Sequence, residues 1–282
     1  GGGGARKGVL RLNGNSEAWE MIDREAVNGY LDQGFTVLLC NYRGIRPTVD
    51  PHGVKVVQEG LPPGVAGLLG LIRRVWAKRV PERGTMLLDA DAGMQFLTQK
   101  LRIPAERTLV VGQSIGGSLA VLTAARYPGC AVGSCRSFAK LSSVIAAHGS
   151  NIIRAMLPLP WPAPPLARIF AGCLALAVGW ELNAEGAWGR VQGFKWREFA
   201  GADAMIAYPL SLHRALLRRE GADSGSSGWA NGRPARRKGE EDEEEVDWVE
   251  LESLAGKDNH NRAYTKLELQ QHLHMVARSV CD

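Results

Sequence analysis

The decisive stretch is Thr108-Leu109-Val110-Val111-Gly112-Gln113-Ser114-Ile115-Gly116-Gly117, followed by a run of small residues from Ser118 to about Arg126. The apolar, β-branched opening reads as a strand covered on both faces, and the run beyond it reads as a helix. Between them, Gly112-Gln113-Ser114-Ile115-Gly116 fits G-x-S-x-G. As five letters the pattern recurs by chance. Set between strand and helix, it has the context that a nucleophile elbow requires. Glycine at 112 and 116 lets the chain turn tightly without Cβ clashes and project the serine hydroxyl above the sheet. The competing reading is a glycine-rich turn with an incidental serine.

Working outward, Gly8–Leu12 is a short apolar run that stops at Asn13-Gly14-Asn15, a strand and its turn. Ser16 can cap a helix that carries Trp19, Met21, Ile22, Ala26, Val27 and Tyr30 at helical spacing as far as Gly34. Phe35–Cys40 is a second buried strand, ending at Asn41-Tyr42-Arg43-Gly44. Residues 45–84 are irregular apart from an amphipathic stretch near Leu68–Val80, and a helix is expected over Ala90–Leu101. Further strands fit Cys130–Ser134, Lys195–Phe199 and Trp248–Glu252, with helices over Ser211–Arg219 and Lys266–Val280. Strands alternating with helices imply a mostly parallel, doubly wound α/β sheet with helices on both faces, in one domain over 1–282.

Two segments stand apart. Residues 151–190 are apolar and rich in proline and tryptophan, expected as a helical cap or lid. The stretch Leu166–Trp180 contains Arg168 and is shorter than the roughly twenty residues that span a bilayer. Residues 221–247, Ser/Gly-rich, then basic, then acidic, are expected as a disordered charged loop. That loop holds eight acids and four bases, so the net +5 of the 282 residues divides into −4 there and +9 elsewhere. No aromatic-interleaved basic patch or zinc-finger spacing accompanies the positive part, which argues against nucleic acid. With 45% hydrophobic residues the chain can build a real core, which excludes wholesale disorder. Five cysteines, Cys40, Cys130, Cys135, Cys173 and Cys281, are scattered without a CxxC pair. They read as small buried thiols in a reducing compartment, and no metal or cofactor is expected.

A serine is a weak nucleophile until a base takes its proton and a carboxylate orients that base. Asp203 lies just past a strand, 89 residues after Ser114, and His260 lies in a loop between the last strand and the last helix. Both stand where strand carboxyl ends present side chains. The other histidines fit less well: His272 and His274 lie within the final helix, His213 on a helix, His52 before the serine and His148 before the acid. Asp258 reads as a loop residue. The backbone N–H of Ile115 and that of Asn15 are the candidate oxyanion donors.

With these residues placed, the chain resembles the α/β-hydrolase superfamily, and most of all its serine-aminopeptidase-like and Bem46-like branch. The likeness runs from Val9 to the C-terminus, without 221–247. It is carried by Asn13-Gly14-Asn15, Tyr42-Arg43-Gly44, the elbow, Arg136-Ser137-Phe138 with Leu141, Gly179-Trp180, and Asp203-Ala204-Met205-Ile206-Ala207-Tyr208 with Ser211-Leu212. The resemblance implies Ser114 as nucleophile, Asp203 as acid and His260 as base. Asn13 stands where many relatives have histidine, and Cys135 where an aspartate is frequent. Relatives carry further strands before the one at Val9, so the first strands are expected to be missing here. The activity implied is acyl transfer to water from a small-molecule ester, thioester or amide. An apolar cap favours acyl chains or lipids and allows peripheral membrane contact. The setting implied is cytoplasmic or at an intracellular membrane surface. The alternative from another class is a catalytically inactive scaffold of the same fold that holds partners through its cap or charged loop.

Overall fold

The computed structural model describes residues 6–14, 17, 19, 22–42, 83–156, 169, 172, 173, 179–201, 203, 205–219, 248–251, 260 and 263–280. Six strands, β1 (Lys7–Leu12), β2 (Phe35–Leu39), β3 (Thr108–Gln113), β4 (Ala131–Cys135), β5 (Lys195–Ala200) and β6 (Trp248–Leu251), form one sheet in the order β2-β1-β3-β4-β5-β6. Every pairing is parallel, with Leu12 opposite Gly112 and Gln113 opposite Cys135. The helices are α1 (Arg24–Asp32), α2 (Arg83–Gln95), α3 (Ile115–Ala124), α4 (Leu141–Met156), α5 (Ala184–Trp188), α6 (Leu212–Arg219) and α7 (Lys266–Ser279).

Alternation along the strands produces two cores. Leu10, Val110 and Val132 pack with Met86, Ala90, Leu119, Leu122 and Leu216, from α2, α3 and α6. Their neighbours Val9, Leu109, Val111 and Ala131 face the other way, onto Tyr30 of α1 and Met275 and Val276 of α7. A strand buried on both faces has no polar side to spare, and this is why Leu109–Val111 of β3 reads as an unbroken apolar run and β4 is built of small and apolar residues. The mostly parallel sheet with helices on both faces agrees with the sequence expectation.

Several boundaries move. The first helix begins at Arg24, capped by Asp23, whose Oδ1 accepts from the Glu25 N–H at 2.9 Å. Trp19 is in a short turn tied to Asn41 through its own N–H at 2.8 Å, so the helical spacing expected from Trp19 is not continuous helix. The helix expected over Ala90–Leu101 starts earlier, at Arg83, and ends in a wider π-helical turn over Phe96–Lys100. Cys173 is exposed, unlike the buried Cys130 and Cys135. Among the described residues no helix is long and apolar enough to cross a membrane. Residues 43–82 and 221–247, and most of 157–178, lie outside the described residues, and with them the amphipathic stretch, the charged loop and most of the cap.

The face toward α7 holds a buried polar network. Glu198 of β5 accepts from Trp196 Nε1 at 3.1 Å, His272 Nδ1 at 2.5 Å and the Tyr264 hydroxyl at 2.6 Å, and the Tyr30 hydroxyl meets His272 Nε2 at 2.8 Å. Burial alone would raise the Glu198 carboxyl, but His272 and the hydrogen bonds from His272, Tyr264 and Trp196 outweigh it and hold it down at about 2. The folded value lies below the ordinary 4.5, so the unfolded chain takes the proton first as the pH falls. The stabilisation is therefore complete above pH 4.5 and lost between there and about 2. In acid unfolding followed by near-UV circular dichroism, Glu198→Gln is expected to flatten the stability loss across that window. An equally steep loss in the variant would assign the acid sensitivity to other groups.

Candidate active site

Ser114 and Asp203 lie just beyond the carboxyl ends of β3 and β5, and His260, between β6 and α7 in the chain, meets them there. His260 Nε2 lies 2.9 Å from Ser114 Oγ, and His260 Nδ1 lies 2.8 Å from Asp203 Oδ2. An ionised carboxylate can only accept, so Nδ1 carries the proton and Nε2 faces the serine hydroxyl with its lone pair. The other Asp203 oxygen accepts the N–H groups of Met205 and Ile206, both at 2.8 Å. All its bonds are spent in fixing the carboxylate and the imidazole, and Asp203 and His260 are both buried.

The turn at Ser114 is strained. Its φ of 57° and ψ of −121° lie in a region that residues with a Cβ avoid, at a cost of about 1–3 kcal/mol. The neighbourhood holds it there. The Ser114 N–H donates to the Cys135 carbonyl at 2.9 Å, while its own carbonyl accepts the Ser137 hydroxyl at 2.8 Å and the Gly117 N–H at 3.0 Å. The glycines serve close approach. A Cβ on Gly112 would stand 2.1 Å from the Gly116 carbonyl oxygen, and one on Gly116 would stand 2.4 Å from the Leu12 oxygen. Strain thus falls on the serine, and the glycines let helix α3 pass directly over strands β1 and β3.

Ile115 is the first residue of α3, where an N–H has no intrahelical partner and the helix dipole favours negative charge. Asn15, the other expected donor, lies outside the described residues. The turn before it is held firmly. A Cβ on Gly14 would be 3.8 Å from Ser114 Cβ, so this turn abuts the serine. The Gly14 N–H donates to Glu17 Oε2 at 2.5 Å, with Arg11 3.9 Å from the other Glu17 oxygen. Burial works against the Arg11 cation, but Glu17 and other nearby groups outweigh it and keep the guanidinium above its ordinary range. Asn13 donates to the Cys40 carbonyl at 3.2 Å and to Asn41 Oδ1 at 3.1 Å, and the Tyr42 hydroxyl donates to the Asn13 carbonyl at 3.1 Å.

No family model and no curated protein matches the sequence. Solved structures do match. An esterase from Pyrococcus furiosus aligns with a TM-score of 0.56 at 13% identity, over 99% of this chain and 83% of its own. A Thermus thermophilus protein gives 0.51 at 14% identity, over 99% and 91%. An alpha-beta hydrolase from Vibrio vulnificus gives 0.51 at 18%, over 96% and 73%. The chain has the α/β-hydrolase fold.

Within this α/β-hydrolase fold His213, His272 and His148 are engaged elsewhere, and His274 is exposed on α7. His213 is stacked 3.9 Å from Phe199 and accepts from Arg197 at 3.1 Å; burial, then Arg197 and Arg214, push it down to about 3. His272 belongs to the Glu198 network, and His148 Nε2 meets the Met205 carbonyl at 2.7 Å. Cys135, Glu198 and His272 bring possible metal-ligand atoms within 4.8 Å of one another. Both His272 nitrogens and both Glu198 oxygens are already hydrogen-bonded, and burial with Glu198 nearby pushes the Cys135 thiol well up. This donor set is closed on itself rather than arranged around a cation. The residues that sequence reading did not assign to the site are Arg11, Glu17, Gln113 and Arg136. An arginine within or next to an apolar strand was the available signal, because a buried guanidinium demands partners.

Proposed function

We propose that the chain is a serine hydrolase with Ser114 as nucleophile, His260 as general base and Asp203 as the group that orients it. The single observation that carries this is the unbroken hydrogen-bonded chain from Ser114 through His260 to Asp203 at a strained strand–helix turn. The substrate's acyl carbon is attacked by Ser114 Oγ as the hydroxyl proton passes to His260 Nε2. Asp203 stabilises the resulting imidazolium through Nδ1–H. The oxyanion of the tetrahedral intermediate lies at the Ile115 N–H, with the Asn15 N–H as second donor. Collapse breaks the bond to the leaving group, which takes the proton from His260. Water activated by His260 then cleaves the acyl-enzyme and restores Ser114.

Carboxylic esters are the proposed substrate class, ahead of thioesters and amides, with an apolar acyl chain that suits the apolar composition of residues 151–190. A small-molecule or lipid acyl substrate, peripheral membrane contact, a cytoplasmic setting and the serine-aminopeptidase-like or Bem46-like branch belong to the same reading. The fold by itself decides none of these, since function resides in the site and its loops. A fluorophosphonate probe followed by peptide mapping is expected to label Ser114, and acyl esters of graded length are expected to give turnover. An unlabelled wild-type protein, or a label that persists in Ser114→Ala, would overturn the assignment.

A further inference from the structure

In the chain, His260 lies between β6, which ends at Leu251, and α7, which begins at Lys266. A base on a connection of this length needs something other than ladder hydrogen bonds to hold it against Ser114. Among the described residues, the side chains of Gln113 and Arg136 reach its backbone. Gln113 Nε2 donates to the His260 carbonyl at 2.9 Å, and Arg136 Nη1 donates to the same oxygen at 3.2 Å. A carbonyl oxygen has two lone pairs, and donors from two different strand ends fix its peptide in two directions.

Both donors are themselves braced. Gln113, the last residue of β3, accepts from Arg11 Nη2 at 3.4 Å through its own Oε1. Arg136, just beyond β4, is 3% exposed and lies 5.1 Å over the Tyr264 ring, whose hydroxyl binds Glu198. It also adopts a positive φ of 46°, unfavourable for a residue with a Cβ. Desolvating a guanidinium costs several kcal/mol, and here the cation is directed at the peptide that carries the imidazole.

We propose that Gln113 and Arg136 are positioning residues, which seat the His260 imidazole against Ser114 by clamping its carbonyl to the ends of β3 and β4. The assignment rests on the serine-hydrolase reading. It makes the variable residue before the serine in G-x-S-x-G a structural partner of the base, and it links the base to the Glu198 network through Tyr264.

The test compares Gln113→Leu, Gln113→Glu, Arg136→Gln and Arg136→Lys with wild type. The readouts are the fluorophosphonate labelling rate per folded protein, kcat and KM on a p-nitrophenyl acyl ester, thermal midpoint and the downfield proton resonance of His260 Nδ1–H. Gln113→Leu and Arg136→Gln are expected to lower labelling and kcat by about 10- to 100-fold, as small misplacements of a base do. KM is expected to stay within about two-fold, because the clamp acts on the transition state and not on substrate binding. Arg136→Lys keeps a donor and is expected to recover part of the loss, whereas Gln113→Glu faces the carbonyl with acceptors and is expected not to. Labelling and kcat at wild-type levels in the folded variants, with only the thermal midpoint lowered, would overturn the clamp. If Arg136→Gln does not fold, the two Gln113 variants decide. If wild type is never labelled, the hydrolase reading fails by itself, and the Nδ1–H resonance still decides the clamp. A shifted or broadened resonance in Gln113→Leu supports it, and an unchanged one overturns it.

Discussion

Asp203→Asn is expected to lower kcat by about 10⁴-fold with the fold intact, a loss approached or exceeded by Ser114→Ala. The reason lies in where the two Asp203 oxygens point. Oδ1 accepts the Met205 and Ile206 N–H groups, so the asparagine oxygen is drawn to that side and its NH₂ faces His260. Nδ1, now 2.8 Å from a donor, must accept, and the imidazole proton moves to Nε2. Nε2–H then points at Ser114 Oγ, and the base has no lone pair to offer it. Thermal unfolding and circular dichroism check that the fold survives, and burst kinetics with an activated ester check the acylation step. An Asp203→Asn variant within about 10-fold of wild type would show that His260 does not depend on Asp203 for its tautomer.

The second large effect is on stability. Gly116→Ala places a methyl group 2.4 Å from the Leu12 oxygen and 2.5 Å from the Asn13 oxygen, and Gly112→Ala places one 2.1 Å from the Gly116 oxygen. These neighbours are backbone atoms and cannot rotate aside as a side-chain tip can. Either helix α3 lifts from the sheet or the turn after β1 moves. A cost of about 3 kcal/mol or more is expected, at the upper end of overpacking losses. At about 2–4 °C per kcal/mol for a chain of this size, the melting midpoint falls by roughly 6–12 °C or more. Labelling of Ser114 should fall with it, since the same displacement moves Ile115. Differential scanning calorimetry reads the first effect, and a melting midpoint equal to wild type would show that the backbone around Gly112 and Gly116 yields to a methyl group.

The central strand was legible because burial on both faces leaves an unbroken apolar run, Leu109–Val111, whereas β2 is buried only at Phe35, with Thr36 exposed and Val37–Leu39 half-buried, less than its apolar sequence suggests. Ser114 was legible because it closely follows such a run, while Asp203 and His260 were chosen by chain order and by their places after strands, and the structure brings the three side chains together. What could not be read was set by side chains acting at a distance. One exception is local: Asp23 caps α1 by accepting the Glu25 N–H, a cap that the helical spacing from Trp19 did not mark. Gln113 stands at a position that the G-x-S-x-G pattern leaves open, and its partner is 147 residues away. Arg136 was noticed as part of a motif, yet its target is a backbone carbonyl, which no residue type announces. The buried pairing of Glu198 with His272 likewise needs the sheet to exist before the two can meet.

The bonds joining Ser114 to His260 and His260 to Asp203 span 146 and 57 residues of chain. No short segment of the protein contains a nucleophile beside its base. Contacts this distant in sequence form late, after loop closures that local structure does not repay. On the proposed mechanism, a chain still being synthesised, or one cut between Ser114 and His260 with the pieces parted, carries a serine no more reactive than any other. With Ser114 as the proposed nucleophile, its reactivity doubles as a gauge of completed folding, and unfinished copies would carry out no acyl transfer.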